Sequence, residues 1–335
     1  MTDEATPQTG RSPWGGWRQK AALVLIVAVA VVLVVLNAGH RSSPQQPPVA
    51  PTSTTSNGAA APALAYLALG DSLSRGVQPD AAVTLKHGYP RDLVTALGGD
   101  LTPKATLIEA GCGGATTTSF IFGGKACQPD APIPYANQDA ATSQLSWAEA
   151  ALKARGAKPT LVTLTIGGND LTGCVDPSAE KVHDCLNELI PKLKANWATI
   201  ARRLKAAAGP RTVLSVATTY DPVLGYIRLE GGKHADAARE FHKLIVRRIN
   251  PAMRRIFTLK GWEIADLAFA MHEKGSIENA HATAVNAVCT LTWACVRGDV
   301  HLNDEGYQVA ASVFEGAVLD ALTKAVQRPL ASGSS

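Results

Sequence analysis

Five short apolar runs recur along the chain after residue 64, and Gly, Pro, Lys or polar residues bound each of them. They predict β-strands at 66–69, 106–109, 160–166, 212–217 and 262–265. Apolar residues at helical spacing lie between and after these runs, and they predict helices at 143–155, 181–208, 234–258 and 305–326. Pro191 is expected to split or kink the second of these helices, and Pro251 to break the third.

Strands that alternate with helices are joined by right-handed crossovers and form a mainly parallel sheet with helices on both faces. The sequence therefore predicts one α/β domain at 64–327, a three-layer α/β/α sandwich with a five-stranded sheet. Ligands of such sheets bind at the carboxyl ends of the strands. The polar residues that directly follow each strand are therefore the candidate functional residues.

A different apolar pattern precedes the domain. Residues 21–36 are sixteen uninterrupted apolar residues, and Arg11, Arg18 and Lys20 come before them. A membrane-spanning helix needs roughly 20 apolar residues and the core of a signal peptide roughly 7–15, so the run lies between the two. Cleavage after Ala38 fits the small-residue pattern poorly. The run therefore favours an uncleaved transmembrane signal anchor at 21–38, with residues 1–20 in the cytoplasm, over a long signal peptide.

Composition narrows the class of protein further. Residues 39–63 are rich in Pro, Ser, Thr and Ala, which predicts a disordered linker, and residues 328–335 are predicted to be a disordered tail. The chain is 46% hydrophobic, enough for a sizeable core, and its net charge is only +4. No block of five or six basic residues occurs, so we expect no nucleic-acid partner.

The six cysteines fall into three couples of sequence neighbours: Cys112 with Cys127, Cys174 with Cys185, and Cys289 with Cys295. None forms a C-x-x-C pair, and no Cys/His cluster has zinc-finger spacing, so the sequence supports no structural metal. An even count behind a targeting segment predicts disulfides within these couples, in an oxidising compartment outside the cytoplasm. Buried free thiols are the alternative.

Four turns carry polar residues where an α/β sheet places its ligand. Gly70-Asp71-Ser72 follows the first strand, a glycine-rich turn with Gly114 follows the second, Gly167-Gly168-Asn169-Asp170 follows the third, and His301 precedes the last helix. Separately, Ser72 fits a helix cap, Asn169 a left-handed turn and His301 a packed core residue. The glycine-rich turn lacks both phosphate-binding motifs. Together, the four turns favour a catalytic site over four unrelated structural roles.

This order of blocks resembles the SGNH or GDSL-type hydrolase superfamily over roughly residues 64–326. It is most similar to secreted actinobacterial esterases and lipases, whose C-terminal block resembles CTLTWACVRGDVHLNDEGY at 289–307. The resemblance implies a flavodoxin-like sheet, three disulfides, and neither cofactor nor metal. It also implies that Ser72 is the nucleophile, that His301 is the base, and that the backbone N–H groups of Ser72 and Gly114 form an oxyanion hole with the Asn169 amide.

One position departs from the family pattern. The family usually has its acidic residue three positions before the histidine, whereas Asp299 lies two positions before His301 and Gly298 occupies the expected place. Either the Asp299 carboxylate or the Gly298 main-chain carbonyl therefore orients His301. We favour Asp299, because a carboxylate both orients the ring and stabilises the imidazolium. Asp71 and Asp170 are interpreted as structural residues.

The expected function is that of a serine esterase or lipase, which hydrolyses acyl or lipid esters through an acyl-serine outside the cytoplasm. An acyltransferase or a carbohydrate acetylesterase would use the same residues. From other classes, a metallophosphoesterase and a non-catalytic surface binding protein remain alternatives. We expect a monomer whose partners are its ester substrate and, through the N-terminal helix, a membrane.

Segments 120–136 and 220–232 would shape an acyl pocket, where five residues form either an apolar wall or core: Ile121, Phe122, Leu224, Tyr226 and Ile227.

Overall fold

The computed structural model describes residues 63–79, 88–100, 105–124, 143–229 and 234–327. The predicted cytoplasmic segment, anchor, linker and tail, at 1–20, 21–38, 39–63 and 328–335, lie outside these residues apart from residue 63. Those domain boundaries therefore stay predictions. Within the described ranges, none of the helices combines the length and the apolar character that crossing a membrane requires.

The core of the domain is one sheet, and the five predicted strands are confirmed. They are β1 Ala65–Gly70, β2 Thr106–Glu109, β3 Thr160–Thr165, β4 Thr212–Ala217 and β5 Glu263–Ala265. All neighbours pair in parallel in the order β2-β1-β3-β4-β5. Every residue of β1 and β3 is buried, as expected for central strands covered on both faces. The flavodoxin-like sheet that the resemblance implies is therefore present.

Helices cover both faces of this sheet. Their bounds are α1 Tyr89–Asp100, α2 Thr117–Phe122, α3 Gln144–Arg155, α4 Gly168–Leu171, α5 Ala179–Ala207, α6 Gly225–Leu229, α7 Ala235–Leu244, α8 Asn250–Thr258, α9 Leu267–Ala270, α10 Thr283–Leu291, α11 Ala294–Arg297 and α12 Asp304–Gln327. Helix α1 packs against α12, whereas α5 packs against α3, α7 and α8. The predicted three-layer sandwich is confirmed.

The split predicted at Pro191 is absent, whereas the α-helix is interrupted just ahead of Pro251. Helix α5 continues through Pro191, because its buried stripe extends on both sides, from Val182 to Leu204. Tertiary packing of this stripe outweighs the hydrogen bond that the proline removes. Ahead of Pro251 the chain forms a π-helical turn, Ile245–Ile249, between α7 and α8. Since proline has no N–H, the wider turn accommodates the lost bond and the helical segment continues to Thr258.

Two of the predicted disulfides are confirmed. Cys174 is bonded to Cys185 and ties a 3₁₀ turn to α5, and Cys289 is bonded to Cys295 and ties α10 to α11. Cys112 is also disulfide-bonded. Its predicted partner, Cys127, lies outside the described residues, so that pairing stays a prediction.

Candidate active site

Ser72 begins a 3₁₀ turn, Ser72–Arg75, directly after β1. The cap of this turn is Asp71, whose Oδ1 accepts hydrogen bonds from the Leu73 N–H at 3.1 Å and from Thr165 Oγ1 at 2.9 Å. Asp71 therefore holds the turn against β3, which is the structural role assigned to it from the sequence. The backbone at Gly70 passes so close to β3 that a Cβ there would lie 1.8 Å from the Thr165 carbonyl oxygen. Ser72 itself is largely buried, with 9% of its surface exposed.

His301 lies in the loop between α11 and α12, residues 298–303, which is called the histidine loop here and which other segments hold in place. An antiparallel bridge joins Leu302 to Thr292, and the Trp293 N–H donates to the His301 carbonyl oxygen at 3.0 Å. The loop brings His301 Nε2 to 2.9 Å from Ser72 Oγ, although the two residues are 229 positions apart. This distance is within hydrogen-bond reach.

Asp299 contacts His301 twice. Its Oδ1 accepts from the His301 backbone N–H at 2.9 Å and lies 2.7 Å from the ring Nδ1. An ionised carboxylate only accepts, so the proton is on Nδ1, and Nε2 is free to accept from the Ser72 hydroxyl. Burial raises the pKa of Asp299, but the hydrogen bonds that its carboxylate accepts from His301 oppose this effect, and the pKa stays below its usual value. The single Nδ1 hydrogen is thus directed at Asp299 rather than at the Gly298 carbonyl.

Three candidate oxyanion donors follow β1, β2 and β3. Within the described part of the chain, the backbone N–H groups of Ser72 and Gly114 donate to no other group. The Asn169 side chain, on α4, donates from Nδ2 to the Ala115 carbonyl oxygen at 3.0 Å. That bond fixes the amide beside the glycine-rich turn and uses one of its two hydrogens. Among the residues that the structure describes, none accepts its second hydrogen, which is available to a ligand.

Asp170, the neighbour of Asn169 on α4, bonds to the residue that begins α2. Its Oδ1 accepts from the Thr117 hydroxyl at 2.6 Å and its Oδ2 from the Thr117 N–H at 2.8 Å, at the start of α2. Burial raises the pKa of this carboxyl group. Asp170 therefore joins α4 to the start of α2, in line with its structural interpretation.

Sequence reasoning missed several residues that hold this site. The Gln144 side chain bonds both backbone groups of Gly70, accepting from its N–H at 2.5 Å and donating to its carbonyl at 3.0 Å. The Tyr220 hydroxyl donates to the Val300 carbonyl oxygen at 2.5 Å, beside His301. Gln78 contacts both flanks of the histidine loop. These residues carry no motif, because their roles depend on contacts between distant segments.

The residues named for an acyl pocket divide between core and surface. Ile121, Leu224 and Ile227 are buried in the hydrophobic core, whereas Phe122 is 71% exposed. Tyr226 is partly buried against the core. Residues 125–136 and 230–232 of the two segments lie outside the described residues. Among the residues that the structure describes, no three His, Cys, Asp or Glu side chains are grouped so as to hold a metal.

A Ser–His–Asp chain of hydrogen bonds at the carboxyl edge of a parallel sheet is the arrangement found in serine hydrolases. The protein belongs to the GDSL-like lipase/acylhydrolase family, whose model matches residues 68–309. It is thus an enzyme that hydrolyses ester bonds, as the resemblance implies.

Several solved structures are similar to this chain. Phospholipase A1 from Streptomyces albidoflavus is 17% identical, with 77% of this chain and 100% of that chain covered and a TM-score of 0.46. An acetyl xylan esterase variant from Geobacillus stearothermophilus is 14% identical, with coverages of 80% and 97% and a TM-score of 0.44. The extracellular lipase from Streptomyces rimosus is 18% identical, with coverages of 76% and 100% and a TM-score of 0.43. No curated protein sequence matches the chain.

Proposed function

We propose that this ester hydrolase acts through a covalent acyl-serine formed on Ser72, with His301 as general base and Asp299 as the residue that orients it. The observation that carries the proposal is the continuous chain of contacts, 2.9 Å from Ser72 Oγ to His301 Nε2 and 2.7 Å from His301 Nδ1 to Asp299. A serine hydroxyl is weakly nucleophilic and needs a base at this distance.

In the first half of the reaction, Ser72 Oγ attacks the ester carbonyl while its proton moves to His301 Nε2. Asp299 then faces an imidazolium and stabilises its charge. The oxyanion is received by the N–H groups of Ser72 and Gly114 and by the Asn169 amide. His301 returns its proton to the leaving alcohol as the C–O bond breaks. Water then attacks acyl-Ser72 with His301 again as base, which releases the acid and regenerates the serine.

The proposed substrates are acyl or lipid esters outside the cytoplasm, near a membrane. Disulfides persist in oxidising compartments, and the Cys174–Cys185 and Cys289–Cys295 bonds support such a location. The apolar run at 21–36 and the basic residues before it support a membrane anchor, which would keep the enzyme close to lipid esters.

A chain-length series of p-nitrophenyl esters tests the assignment on the wild type, Ser72→Ala and Asp299→Ala. Ser72→Ala should abolish turnover and labelling by a serine-directed phosphonate. Asp299→Ala should lower kcat on the order of 10³–10⁴-fold, because the ring loses both its orientation and its counter-charge. A fall below about 10-fold would assign the orienting role to the Gly298 carbonyl instead.

The same series defines the substrate class. Preference for long acyl chains supports a lipid ester, and activity confined to acetate supports the carbohydrate acetylesterase alternative. Turnover that persists in Ser72→Ala would refute the acyl-serine mechanism. Circular dichroism of each variant serves as the folding control.

A further inference from the structure

Gln78 connects the loop that carries Ser72 with the loop that carries His301. Its side chain is almost fully buried, at 4% exposure. Nε2 donates to Asp304 Oδ1 at 2.6 Å, and Oε1 accepts from the Trp293 indole Nε1 at 3.0 Å. One amide six residues after Ser72 thus bonds to a residue on each side of His301 in the sequence.

Both of its partners are coupled directly to the histidine loop. The backbone N–H of Trp293 donates to the His301 carbonyl oxygen at 3.0 Å, so the residue that carries the indole is bonded to His301 itself. Asp304 is the first residue of α12, three positions after His301. A second bond runs parallel to these, from the Tyr307 hydroxyl to the Val77 carbonyl oxygen at 2.7 Å. The segment at 77–78 is therefore bonded to Trp293, ahead of the loop, and to Asp304 and Tyr307, which follow it.

We infer that Gln78 is a positioning residue, which sets the distance between Ser72 Oγ and His301 Nε2 by holding the two loops in register. The inference rests on the proposed function of Ser72 and His301. Those two groups come from opposite ends of the domain sequence, and their 2.9 Å contact depends on how the loops are joined. A misplacement of about 1 Å between reacting groups costs on the order of 10²-fold in rate.

The Gln78 amide has one donating and one accepting end, so its role can be tested by exchanging the donor for an acceptor without changing the volume of the side chain. Gln78→Glu keeps the acceptor for Trp293 but places a carboxylate against Asp304, where neither group donates. Asp304→Asn keeps an acceptor for Gln78 and is expected to retain kcat within about 3-fold. In the double variant Q78E/D304N, the amide introduced at position 304 donates to the carboxylate introduced at position 78, so the bond forms again with reversed polarity.

Steady-state kinetics of the wild type, Q78E, D304N and Q78E/D304N on one soluble p-nitrophenyl ester therefore carry the test. At about pH 8, we expect Q78E to lower kcat by roughly 10–100-fold with KM nearly unchanged, and the double variant to recover to within about 3-fold of wild type. The ratio of kcat for Q78E to that for wild type should rise as the pH falls toward about 5, because the carboxyl group introduced at position 78, once protonated, again donates to Asp304.

Three results would overturn the inference: wild-type kcat in Q78E, a rise in KM alone, or no recovery in the double variant. If Q78E does not fold, Asp304→Ala removes the bond to Nε2 together with one acidic side chain from the first turn of α12, and a lower kcat at unchanged KM is then required. Ser72→Ala separates the two proposals. Activity that survives in Ser72→Ala refutes the acyl-serine mechanism, whereas an inactive Ser72→Ala beside a fully active Q78E refutes only the role of Gln78.

Discussion

Asp299 shows how one side chain accommodates a change of spacing in a catalytic block. Only Val300 separates Asp299 from His301. A single carboxylate oxygen of Asp299 bonds to both the backbone N–H and the ring Nδ1 of the histidine. Two bonds to one oxygen leave the ring little rotational freedom. The Tyr220 hydroxyl holds the intervening Val300 carbonyl in addition. In the proposed mechanism, this shorter block therefore still supplies a carboxylate that orients the imidazole.

At Asn169, the expected effect of substitution separates catalysis from folding. Asn169→Ala removes the proposed oxyanion donor and one hydrogen bond to the Ala115 carbonyl, on a half-buried side chain. We expect kcat to fall on the order of 10²–10³-fold, because one oxyanion donor is lost. The free energy of unfolding should change by only about 1 kcal/mol.

Ester turnover and urea unfolding of the same preparation measure the two effects. Near-normal turnover in Asn169→Ala would remove this residue from the site. A loss of stability large enough to unfold the protein would instead make the amide a structural group.

At the scale of elements, the local sequence pattern was sufficient to predict the strands. The bounds predicted for the second and fourth strands, Thr106–Glu109 and Thr212–Ala217, agree with the structure because a short apolar run and the residues that bound it are local properties. The split predicted at Pro191 was wrong, since packing against neighbouring helices decides whether a helix continues, and ahead of Pro251 the α-helix is interrupted by a π-helical turn rather than ended. Gln78, Gln144 and Tyr220 were missed for the same reason. Each acts on a backbone group or side chain that is distant in the sequence.

Helix α4 carries Asn169, and the two glycines before that residue meet different surroundings. Gly167 has φ +118°, and a Cβ there would lie 2.9 Å from Trp197 Cζ2. A Cβ on Gly168 would meet no described atom within 4 Å apart from its chain neighbours and the backbone of its own helix. Gly167→Ala should therefore destabilise the domain by about 1–3 kcal/mol, since strain and contact with the indole act together.

Gly168→Ala is the matched control for that prediction. It should leave the free energy of unfolding within about 0.5 kcal/mol of wild type or raise it slightly, because alanine favours the helix. Thermal or urea unfolding measures both variants. Equal stabilities for the two would contradict the role of Trp197 as the steric limit on this turn.

The turn that presents Ser72 contains a buried carboxylate whose ionisation affects the stability of the whole molecule. Asp71 is 5% exposed, and burial raises its pKa to about 6, against the opposing effects of hydrogen bonds from Thr165 and Leu73 and of the charge of His301. In the unfolded chain the pKa of the same group is about 3.9. The native state therefore binds a proton between about pH 4 and pH 6 that the unfolded state has released. Its stabilising contribution is complete below about pH 4 and is lost as the pH rises through about 6.

Asp71→Asn should remove this dependence and keep the acceptor for the Leu73 N–H and the Thr165 hydroxyl. The unfolding free energy of wild type minus that of Asp71→Asn should accordingly fall by roughly 2–3 kcal/mol between about pH 4 and pH 7. Urea titrations at several pH values, with the disulfides kept oxidised, measure the difference. Asp236→Asn, at a side chain 91% exposed, controls for the exchange itself. A difference for Asp71→Asn that stays constant with pH would mean that this carboxylate is ionised in the folded protein throughout the range, with the turn solvating its charge as well as water does.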